Sequence, residues 1–182
     1  MPLVVLSPPE PLTTAYDLEP FSCGRPALDI WLKTRALSNQ QKGFTVVMVV
    51  HEAGRVVGYY GLAPTAVSPA TMPRSVKTGR SPSLMPCLLL GQLAIDQAWA
   101  GRGIGSALLA HALQRCVVGG RLIGGRAVVV NALDEKAGLF WARRGFLASK
   151  DDPLVLFRSI SDIAASLQAV GVTLPEANPS SR

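Results

Sequence analysis

The stretch that decides the fold is LAIDQAWAGRGIGS, residues 93–106, in which an apolar strand runs into a glycine-rich turn and then into a helix. Glycines let the backbone approach a ligand closely, and the start of a helix presents unpaired N–H groups at the positive end of its dipole. This combination predicts that residues 101–106 bind phosphate oxygens. A tight strand–helix turn that holds no ligand is the plainer alternative.

The spacing of the glycines excludes two common nucleotide-binding loops. The P-loop pattern GxxxxGK followed by Ser or Thr is absent. The dinucleotide pattern GxGxxG fails because Ser106 and Leu108 stand where its third glycine would fall. Between Asp96 and Asp134 the chain has four arginines and no acidic residue. This stretch therefore suits a polyanion, but not NAD, whose ribose needs an acidic ligand.

The composition predicts one folded domain. The chain has 182 residues, of which 48% are hydrophobic and 16% charged, and a chain of this size buries a substantial core. Its formal charge of +6 favours an anionic partner, a merely basic surface being the alternative. Three cysteines without metal-ligand spacing disfavour a disulfide framework and a metal site. Because the chain lacks a signal-peptide pattern and any apolar run near the ~18 residues of a membrane span, we expect a cytoplasmic protein that does not enter a membrane.

The order of predicted elements indicates an α/β fold, a mixed sheet with helices on both faces. Strands are predicted at residues 3–6, 44–50, 56–62, 87–95, 126–131, 146–148 and 154–157, and helices at residues 26–39, 103–117, 134–144 and 161–170. Residues 52–55 are expected to form a hairpin between the second and third strands, and residues 63–83 form a long connection with four prolines. Gly119 and Gly120 are expected to end the second helix, and Gly145 is expected to follow the end of the third. We expect a single domain over residues 1–170 and a disordered tail over residues 171–182.

At the glycine turn the chain resembles the GNAT superfamily of N-acetyltransferases. Residues 100–105, AGRGIG, align with that family's acetyl-CoA loop, in which Arg or Gln is followed by two residues, Gly, one residue, and Gly or Ala. Residues 140–146, FWARRGF, look like the family's later FYxxxGF segment. The acetyltransferase toxins of bacterial toxin–antitoxin pairs are similar to this chain at residues 21–24, 28–32 and 57–62.

The resemblance, which runs from about Asp17 to Phe157, implies the GNAT acetyltransferase fold, a mixed sheet splayed in the middle and flanked by helices, with acetyl-CoA as co-substrate. Pantetheine would lie in the splay, bound by backbone groups of Leu93 and Ile95 with Ala94 between them. The pyrophosphate would be cradled by Gly101, Arg102, Gly103, Ile104, Gly105 and Ser106. The thioester side would be lined by Asn131, Phe140 and Trp141.

The likeness to the toxins implies a substrate and two kinds of partner. The toxin branch acetylates the α-amino group of aminoacyl-tRNA and so blocks translation. Its antitoxin is a small ribbon-helix-helix DNA-binding protein, and the toxin forms a homodimer. Arg74, Lys77 and Arg80 lie in residues 53–95, which contain no acid, and they are predicted to contact the tRNA backbone. A solvated loop is the alternative for these cations.

Three positions depart from the family pattern. Ala100 stands where the family prefers Gln or Arg, and Gln92 where related toxins often carry Arg. Trp141 stands where many of the toxins place the Tyr that is proposed to protonate the departing thiolate, and an indole N–H donates hydrogen bonds without usefully ionising. We predict that Trp141 orients the thioester while water or a hydroxyl supplies the proton. Tyr59 and Tyr60 are candidate donors, although tyrosines in a strand more often pack in a core.

Two other readings of the function stay open at this point. The chain could acetylate a small amine or a protein N-terminus, which would need the cofactor turn but not the cations near residue 77. It could also be a non-catalytic regulator that binds acetyl-CoA or an antitoxin, which the departures at Ala100 and Trp141 favour. His51 and His111 are expected to be structural.

Overall fold

The computed structural model describes residues 3–174. Residues 175–182, most of the predicted tail, lie outside the described residues. The strands are β1 (Glu10–Pro11), β2 (Val46–Glu52), β3 (Arg55–Val67), β4 (Met85–Ile95), β5 (Ala127–Asn131), β6 (Leu147–Ala148) and β7 (Val155–Ser159). The helices are α1 (Pro26–Trp31), a π-helical segment (Leu32–Ala36), α2 (Leu37–Gln41), α3 (Ile104–Ile123), α4 (Glu135–Ala142) and α5 (Ile160–Ala169). Short 3₁₀ turns lie at Pro69–Thr71 and Gln97–Trp99.

The strands form an open seven-stranded sheet in the order β1-β2-β3-β4-β5-β7-β6. β4 and β5 are parallel, with Cys87 opposite Ala127 and Leu89 opposite Val129, whereas β1–β2, β2–β3, β5–β7 and β6–β7 are antiparallel. The predicted mixed α/β class is confirmed. Within the described residues the chain divides into two compact units, the first running to Ala63 and including Leu90–Ala112, the second comprising Pro64–Leu89 and the residues from Leu113 onward.

In the first unit the predicted hairpin between β2 and β3 is confirmed. Its two turn residues, Ala53 and Gly54, have φ angles of 46° and 88°, as a tight hairpin turn requires. β3 continues to Val67, five residues beyond the predicted end. The last residues of β3 alternate between half-buried and exposed. The exposed Pro64 lies in this extension of the strand, which was not predicted from the sequence.

The predicted helix at residues 26–39 is confirmed as the continuous stretch from α1 to α2, which begins with Pro26 at its first position. Its buried residues pack on one face of the sheet in a core that comprises Leu12, Phe21, Leu32, Ala36, Val47, Val49, Val56, Tyr59 and Ala94. The predicted strand at residues 3–6 is wrong, because Leu6 makes only an isolated bridge to Glu52. Pro8, Pro9 and Pro11 lack N–H donors, so pairing in this region stays short.

In the second unit a separate core comprises Met72, Val76, Met85, Cys87, Ala127, Val129 and Phe157. The prediction that Gly119 and Gly120 end α3 is wrong, because the helix runs to Ile123 and ends before Gly124, whose φ is 90°. A Cβ at Gly120 would lie 3.4 Å from Ile160. Glycine inside a helix costs about 1 kcal/mol relative to alanine, and at this position it lets α3 lie close to Ile160. Among residues 3–174 no helix has both the length and the apolarity needed to cross a membrane.

Candidate cofactor site and nucleic-acid interface

The end of β4 is held by a buried carboxylate. Asp96 is 4% exposed, and its two oxygens accept hydrogen bonds from the backbone N–H groups of Ala98 (2.9 Å) and Ser22 (3.1 Å). Its own N–H donates to the carbonyl of Val57 (2.8 Å). Asp96 therefore caps the short turn Gln97–Trp99 and fixes where the glycine turn begins. It is the last acid before the acid-free stretch, and its charge is used structurally.

The glycine turn owes its shape to backbone conformation. Gly101 and Gly103 have φ angles of 76° and 79°, a left-handed region that other residues enter at a cost. A Cβ at either position would meet no other atom within 4 Å. These two glycines are therefore required by the path of the chain, and the space above them would admit a ligand close to the backbone.

The start of α3 supplies hydrogen-bond donors at the turn. The N–H of Ala107 donates to the carbonyl of Gly103 (3.1 Å), so the N–H groups of Ile104, Gly105 and Ser106 precede the first intrahelical bond. The first turn contains no acid, and Ser106 is exposed. Free donors at the positive end of a 20-residue helix suit the oxygens of a pyrophosphate.

A cation is fixed beside these donors. The guanidinium carbon of Arg102 lies 4.7 Å from the centre of the Trp99 ring, and its Nη2 donates to the carbonyl of Ala98 (3.2 Å). Trp99 is 9% exposed, whereas Arg102 is exposed. Stacking on a buried indole restricts the guanidinium without neutralising it. The turn thus carries a full positive charge in addition to the partial charges of the helix start.

The structure places the predicted residues in two groups. The pantetheine and pyrophosphate residues, Leu93 to Ser106, lie together in the first unit, and the residues predicted to line the thioester or to contact tRNA lie in the second unit. Asn131 is an exposed residue at the end of β5, opposite Val155. Phe140 and Trp141 lie in α4, whose first turn is capped by the carboxylate of Asp134 through the N–H of Ala137 (2.8 Å).

Trp141 is locked in an aromatic cluster. It is 8% exposed, and its ring meets those of Phe140 and Phe146 edge-on, each with centroids 5.1 Å apart. The guanidinium carbon of Arg144 lies 3.5 Å from the centre of the Phe140 ring, and Arg144 Nη1 donates to the Phe140 carbonyl (2.9 Å). The indole therefore has a fixed orientation. α4 ends at Ala142, and Gly145 is the left-handed residue that follows it, as predicted, with a φ of 84° and its N–H donating to the carbonyl of Ala142 (3.1 Å).

The basic connection in the second unit, Met72 to Ser83, is anchored to the body of that unit. We call it the basic segment. Met72 and Val76 are 0% and 2% exposed and belong to the core. The Val76 carbonyl accepts a hydrogen bond from Arg126 Nε (2.6 Å), and the carbonyl of Thr71, just before the segment, accepts two from the residues at 149 and 150. Its cations remain outward: Arg74 and Arg80 are exposed and Lys77 is half-buried.

Comparison with known proteins decides the family. The family described as "Acetyltransferase (GNAT) domain" matches residues 43–147, more than half of the chain. The chain belongs to the GNAT acetyltransferases. The predicted resemblance and fold are therefore confirmed, and the glycine turn at residues 100–105 lies inside the matched region.

Three relatives of this GNAT chain are informative. A "tRNA-acetylating toxin" from Mycobacterium tuberculosis (strain ATCC 25618 / H37Rv) is 40% identical over 159 residues, covering 87% of this chain and 95% of the relative. The solved structure of AtaT complexed with acetyl-methionyl-tRNAfMet superimposes with a TM-score of 0.82 and 28% identity, covering 90% of this chain and 99% of that one. A mutant AtaT toxin bound to the C-terminus of the antitoxin AtaR and acetyl-CoA gives a TM-score of 0.76 at 28% identity, with coverage of 90% and 99%.

The two candidate tyrosines of this GNAT chain lie in its core. Tyr59 and Tyr60 are both 0% exposed. The Tyr59 hydroxyl donates to the carbonyl of Leu28 (2.8 Å), and burial raises the pKa of this phenol far above its usual range. The Tyr60 hydroxyl lies 2.8 Å from Nδ1 of His111. Tyr59 is therefore unsuited to releasing a proton, and both residues serve packing, which was the more common expectation for tyrosines in a strand.

His51 has a structural place, as expected. Its Nδ1 accepts a hydrogen bond from the N–H of Gly54 in the hairpin turn (3.1 Å), and its Nε2 contacts the carboxylate of Glu10. Side-chain hydrogen bonds from Tyr16 and from His51 lower the pKa of Glu10. The imidazole thus joins the hairpin to β1 and stands outside the groups predicted to hold a cofactor.

Sequence reasoning missed Asp96 and the pairing of Trp99 with Arg102. A signal for the first was present, because an acid that directly follows an apolar strand and precedes a short turn is typical of a side-chain cap. The second pair gave no such signal, because the 3₁₀ turn ends at Trp99 and the left-handed Gly101 lies between Trp99 and Arg102. Both features support the glycine turn from its N-terminal side.

Proposed function

We propose that this GNAT protein is an acetyl-CoA-dependent toxin that acetylates the α-amino group of aminoacyl-tRNA and thereby blocks translation. The choice of aminoacyl-tRNA as substrate rests on the 40% identity to a tRNA-acetylating toxin across 87% of the chain. The geometry of the glycine turn supports the co-substrate, because two left-handed glycines, free helix N–H groups and a fixed arginine suit a pyrophosphate.

In the proposed site the residues of this chain bind acetyl-CoA and orient it for transfer. Backbone N–H groups of residues 103–106 would hold the pyrophosphate with Gly101 giving access and Arg102 adding charge, and the backbone of Leu93 and Ile95 would hydrogen-bond pantetheine on either side of Ala94. Acetyl-CoA supplies an activated acyl group when bound. N–H groups of β4 near Leu93 would stabilise negative charge on the attacked carbonyl oxygen.

The proton balance follows from the groups at hand. The neutral amine forms the C–N bond as the C–S bond breaks, and the amine gives up one proton to water. The sulfur leaves as a thiolate, which then takes a proton from water or a nearby hydroxyl. A thiol has a pKa of about 8.5, so the thiolate leaves without full protonation in the transition state. Trp141, held edge-on by Phe140, would donate its indole N–H to the sulfur, with Asn131 on the same side of the thioester. The absence of an ionising acid at position 141 costs on the order of 10²–10⁴-fold at most.

The basic segment would bind the tRNA backbone. Arg74, Lys77 and Arg80 belong to a segment whose backbone is anchored at Val76 and, just before its start, at Thr71. Anchoring reduces the conformational entropy lost when the cations contact phosphates. The contacts would weaken as salt rises, because counterion release drives them.

Partners and location follow from the same proposal. We propose a ribbon-helix-helix antitoxin as protein partner and a homodimer as the assembly. A related AtaT toxin is solved with the C-terminus of the antitoxin AtaR bound, and the formal charge of +6 suits an acidic partner segment. Since charged tRNA is the substrate, the proposed location is the cytoplasm.

The test is acetyl transfer to purified tRNA. The full chain is incubated with radiolabelled acetyl-CoA and aminoacyl-tRNA, and the product is identified by mass after mild hydrolysis. We expect N-acetyl-aminoacyl-tRNA, with no label on deacylated tRNA or on aminoacyl-tRNA whose amine is already blocked. Label on a small amine or a protein N-terminus with none on tRNA would replace the substrate. Tight acetyl-CoA binding without turnover on any amine would favour the non-catalytic regulator, the reading that Ala100 and Trp141 support.

A further inference from the structure

The second unit contains a partly open cavity beside the basic segment. Its volume is about 300 Å³, and it is lined by Ser75 and Val76 of the basic segment, Leu147 of β6, Phe157 and Arg158 of β7, and Asp162 of α5. All of these residues belong to the second unit. We call this space the β7 cavity. Its volume is at the lower end of the range for small-molecule sites, so it suits a ligand no larger than about one nucleotide.

Arg158 is a fixed cation in the wall of the β7 cavity. Its Nε donates to Oδ2 of Asp162 (2.6 Å), its Nη1 to the carbonyl of Arg144 (3.1 Å) and its Nη2 to Oγ of Ser166 (2.6 Å). Its side chain is only 14% exposed. A Cβ at Gly145 would lie 3.2 Å from the guanidinium carbon, so the absence of a side chain there lets the guanidinium lie against the backbone. Among residues 3–174 these bonds use three of the five guanidinium N–H groups, which leaves two donors for a ligand.

An acceptor and apolar side chains lie next to this cation. Asp162 is exposed, and in the part of the chain that the structure describes only its Oδ2 takes part in a hydrogen bond, so Oδ1 can accept from a ligand. Ser75 is also exposed and brings a hydroxyl. The apolar walls are Val76, Leu147 and Phe157. The β7 cavity therefore combines donors, a carboxylate acceptor and apolar surface.

This combination favours an unpaired nucleobase over an anion. Asp162 stands beside the donors of Arg158, and its charge would repel a phosphate or any other anion that approached them. The edge of a base is neutral, and it offers N–H donors to a carboxylate and acceptors to a guanidinium. The faces of a base pack on apolar side chains, and proteins recognise single-stranded RNA by holding such unstacked bases. A nucleobase would therefore satisfy both the polar and the apolar walls of the β7 cavity.

The basic segment would bring RNA to the β7 cavity. Ser75 and Val76, which line it, lie between Arg74 and Lys77, two of the cations proposed to contact the tRNA backbone. A base is joined to its phosphate through a single sugar. A nucleotide whose phosphate contacts either cation would therefore have its base within reach of the cavity.

We propose that the β7 cavity binds one unpaired base of the tRNA, with Arg158 donating to the acceptors of the base and Asp162 accepting from its N–H groups. Leu147 would form an apolar wall beside the base. This inference rests on the proposed function and adds the recognition of a base to the backbone contacts of the basic segment. Because base contacts carry sequence information and phosphate contacts do not, the affinity for tRNA would depend on its sequence as well as on its charge.

The experiment measures the binding of purified tRNA to the full chain at several salt concentrations. Ser75→Leu places a larger apolar side chain at the β7 cavity, and Ser83→Leu makes the same change at another exposed serine of the basic segment, one that does not line the cavity. We expect Ser75→Leu to raise the Kd for tRNA by about 10-fold, within the range that one bound base contributes, and Ser83→Leu to leave it within twofold. The dependence of log Kd on log salt concentration should keep its wild-type slope in both variants, because no phosphate contact is lost.

Asp162→Asn distinguishes a base from a phosphate in the β7 cavity. Asparagine keeps one oxygen that can accept from Arg158, but it replaces the second carboxylate oxygen by an NH₂ donor and removes the charge. If a base donates to the carboxylate, the variant should bind tRNA about 10-fold more weakly, as expected for one lost hydrogen bond to a charged group. If a phosphate occupies the cavity, removal of the negative charge will tighten tRNA binding, and that result would overturn the proposal.

The outcomes also separate this inference from the proposed function, because wild type is assayed for acetylation of the same tRNA in its aminoacylated form. If wild type acetylates it but Ser75→Leu binds tRNA within twofold of wild type, the β7 cavity holds no base and the proposed function stands. Weaker binding by Ser75→Leu with a flattened salt dependence would mean that phosphate contacts were lost, and it would overturn the inference too. If wild type acetylates no aminoacyl-tRNA, the proposed function fails and this inference fails with it. Urea unfolding of each variant verifies that it is folded.

Discussion

Gly103→Ala and Gly105→Ala form a matched pair that tests the glycine turn. Gly103 has a φ of 79° and accepts the first hydrogen bond of α3. Gly105 lies two residues further on without a positive φ, and its Cβ would make an ordinary contact of 3.5 Å with Ile95 Cγ1. Both variants add one methyl group to the turn. At Gly103 the backbone conformation disfavours any residue other than glycine, whereas at Gly105 the backbone conformation accepts alanine.

The magnitude follows from the left-handed conformation. An L-residue other than glycine pays roughly 1–2 kcal/mol there, which corresponds to a factor of about 5–30 in an equilibrium. We expect Gly103→Ala to raise the Kd for acetyl-CoA by that factor, because the N–H groups of Ile104 to Ser106 meet the pyrophosphate only if the turn keeps its shape. Gly105→Ala should leave the Kd within twofold, and helix propensity should raise its free energy of unfolding by up to about 1 kcal/mol.

Isothermal titration calorimetry with acetyl-CoA gives the Kd values, and urea unfolding without ligand gives the stabilities. The reasoning is refuted if Gly103→Ala binds acetyl-CoA as wild type does, because the conformation of the turn would then be irrelevant to binding. Equal losses of affinity for both variants would also refute it, since steric filling by the methyl, and not backbone conformation, would then explain the effect.

Three further predictions concern the second unit. Reversing the three cations of the basic segment to Glu should weaken tRNA binding and flatten its salt dependence, while acetyl-CoA binding is unchanged. The control reverses three exposed cations at positions 33, 35 and 42, which changes the net charge equally, from +6 to 0, and should have a much smaller effect on tRNA binding. Trp141→Phe should slow single-turnover transfer by up to about 10-fold through loss of one hydrogen bond, and a rate equal to wild type would remove any polar role for the indole. Arg126→Met removes the hydrogen bond to the Val76 carbonyl and should lower the free energy of unfolding by about 0.5–1.5 kcal/mol and weaken tRNA binding; unchanged tRNA affinity would show that anchoring does not contribute.

Features with a local cause could be predicted from the sequence. The hairpin at Ala53 and Gly54, the helix start at Pro26 and the helix end at Gly145 each depend on the conformational preference of one or two residues, and the structure confirms all three. The glycine turn belongs to the same class, because positive φ angles at Gly101 and Gly103 follow from a strand that must enter a helix within a few residues.

Features with a distant cause could not be predicted. The end of α3 was misplaced because Gly120 packs against Ile160, forty residues away, and nothing near Gly120 reveals that contact. Gly61 is similar, since the nearest group that a Cβ there would meet is the amide oxygen of Gln92 on another strand, at 2.6 Å. A glycine in a sequence shows that a side chain is missing, but whether backbone conformation or a neighbour excludes it depends on tertiary structure. For this reason the conformation of the glycine turn could be predicted from the sequence, whereas the packing at Gly120 could not.

The structure also shows how the turn carries charge without the usual side chain at position 100. The family pattern places Arg or Gln there, and this chain has Ala100 in an extended conformation. Two residues later, Arg102 is held over the ring of Trp99 and against the carbonyl of Ala98, so a cation stands at the same turn on a different residue. In the proposed site the glycines set the path of the backbone and the helix start supplies the donors, so the cation would need only to lie within reach of the phosphates. Since Coulomb attraction is not directional, it tolerates such a change of position better than the hydrogen-bond donors would.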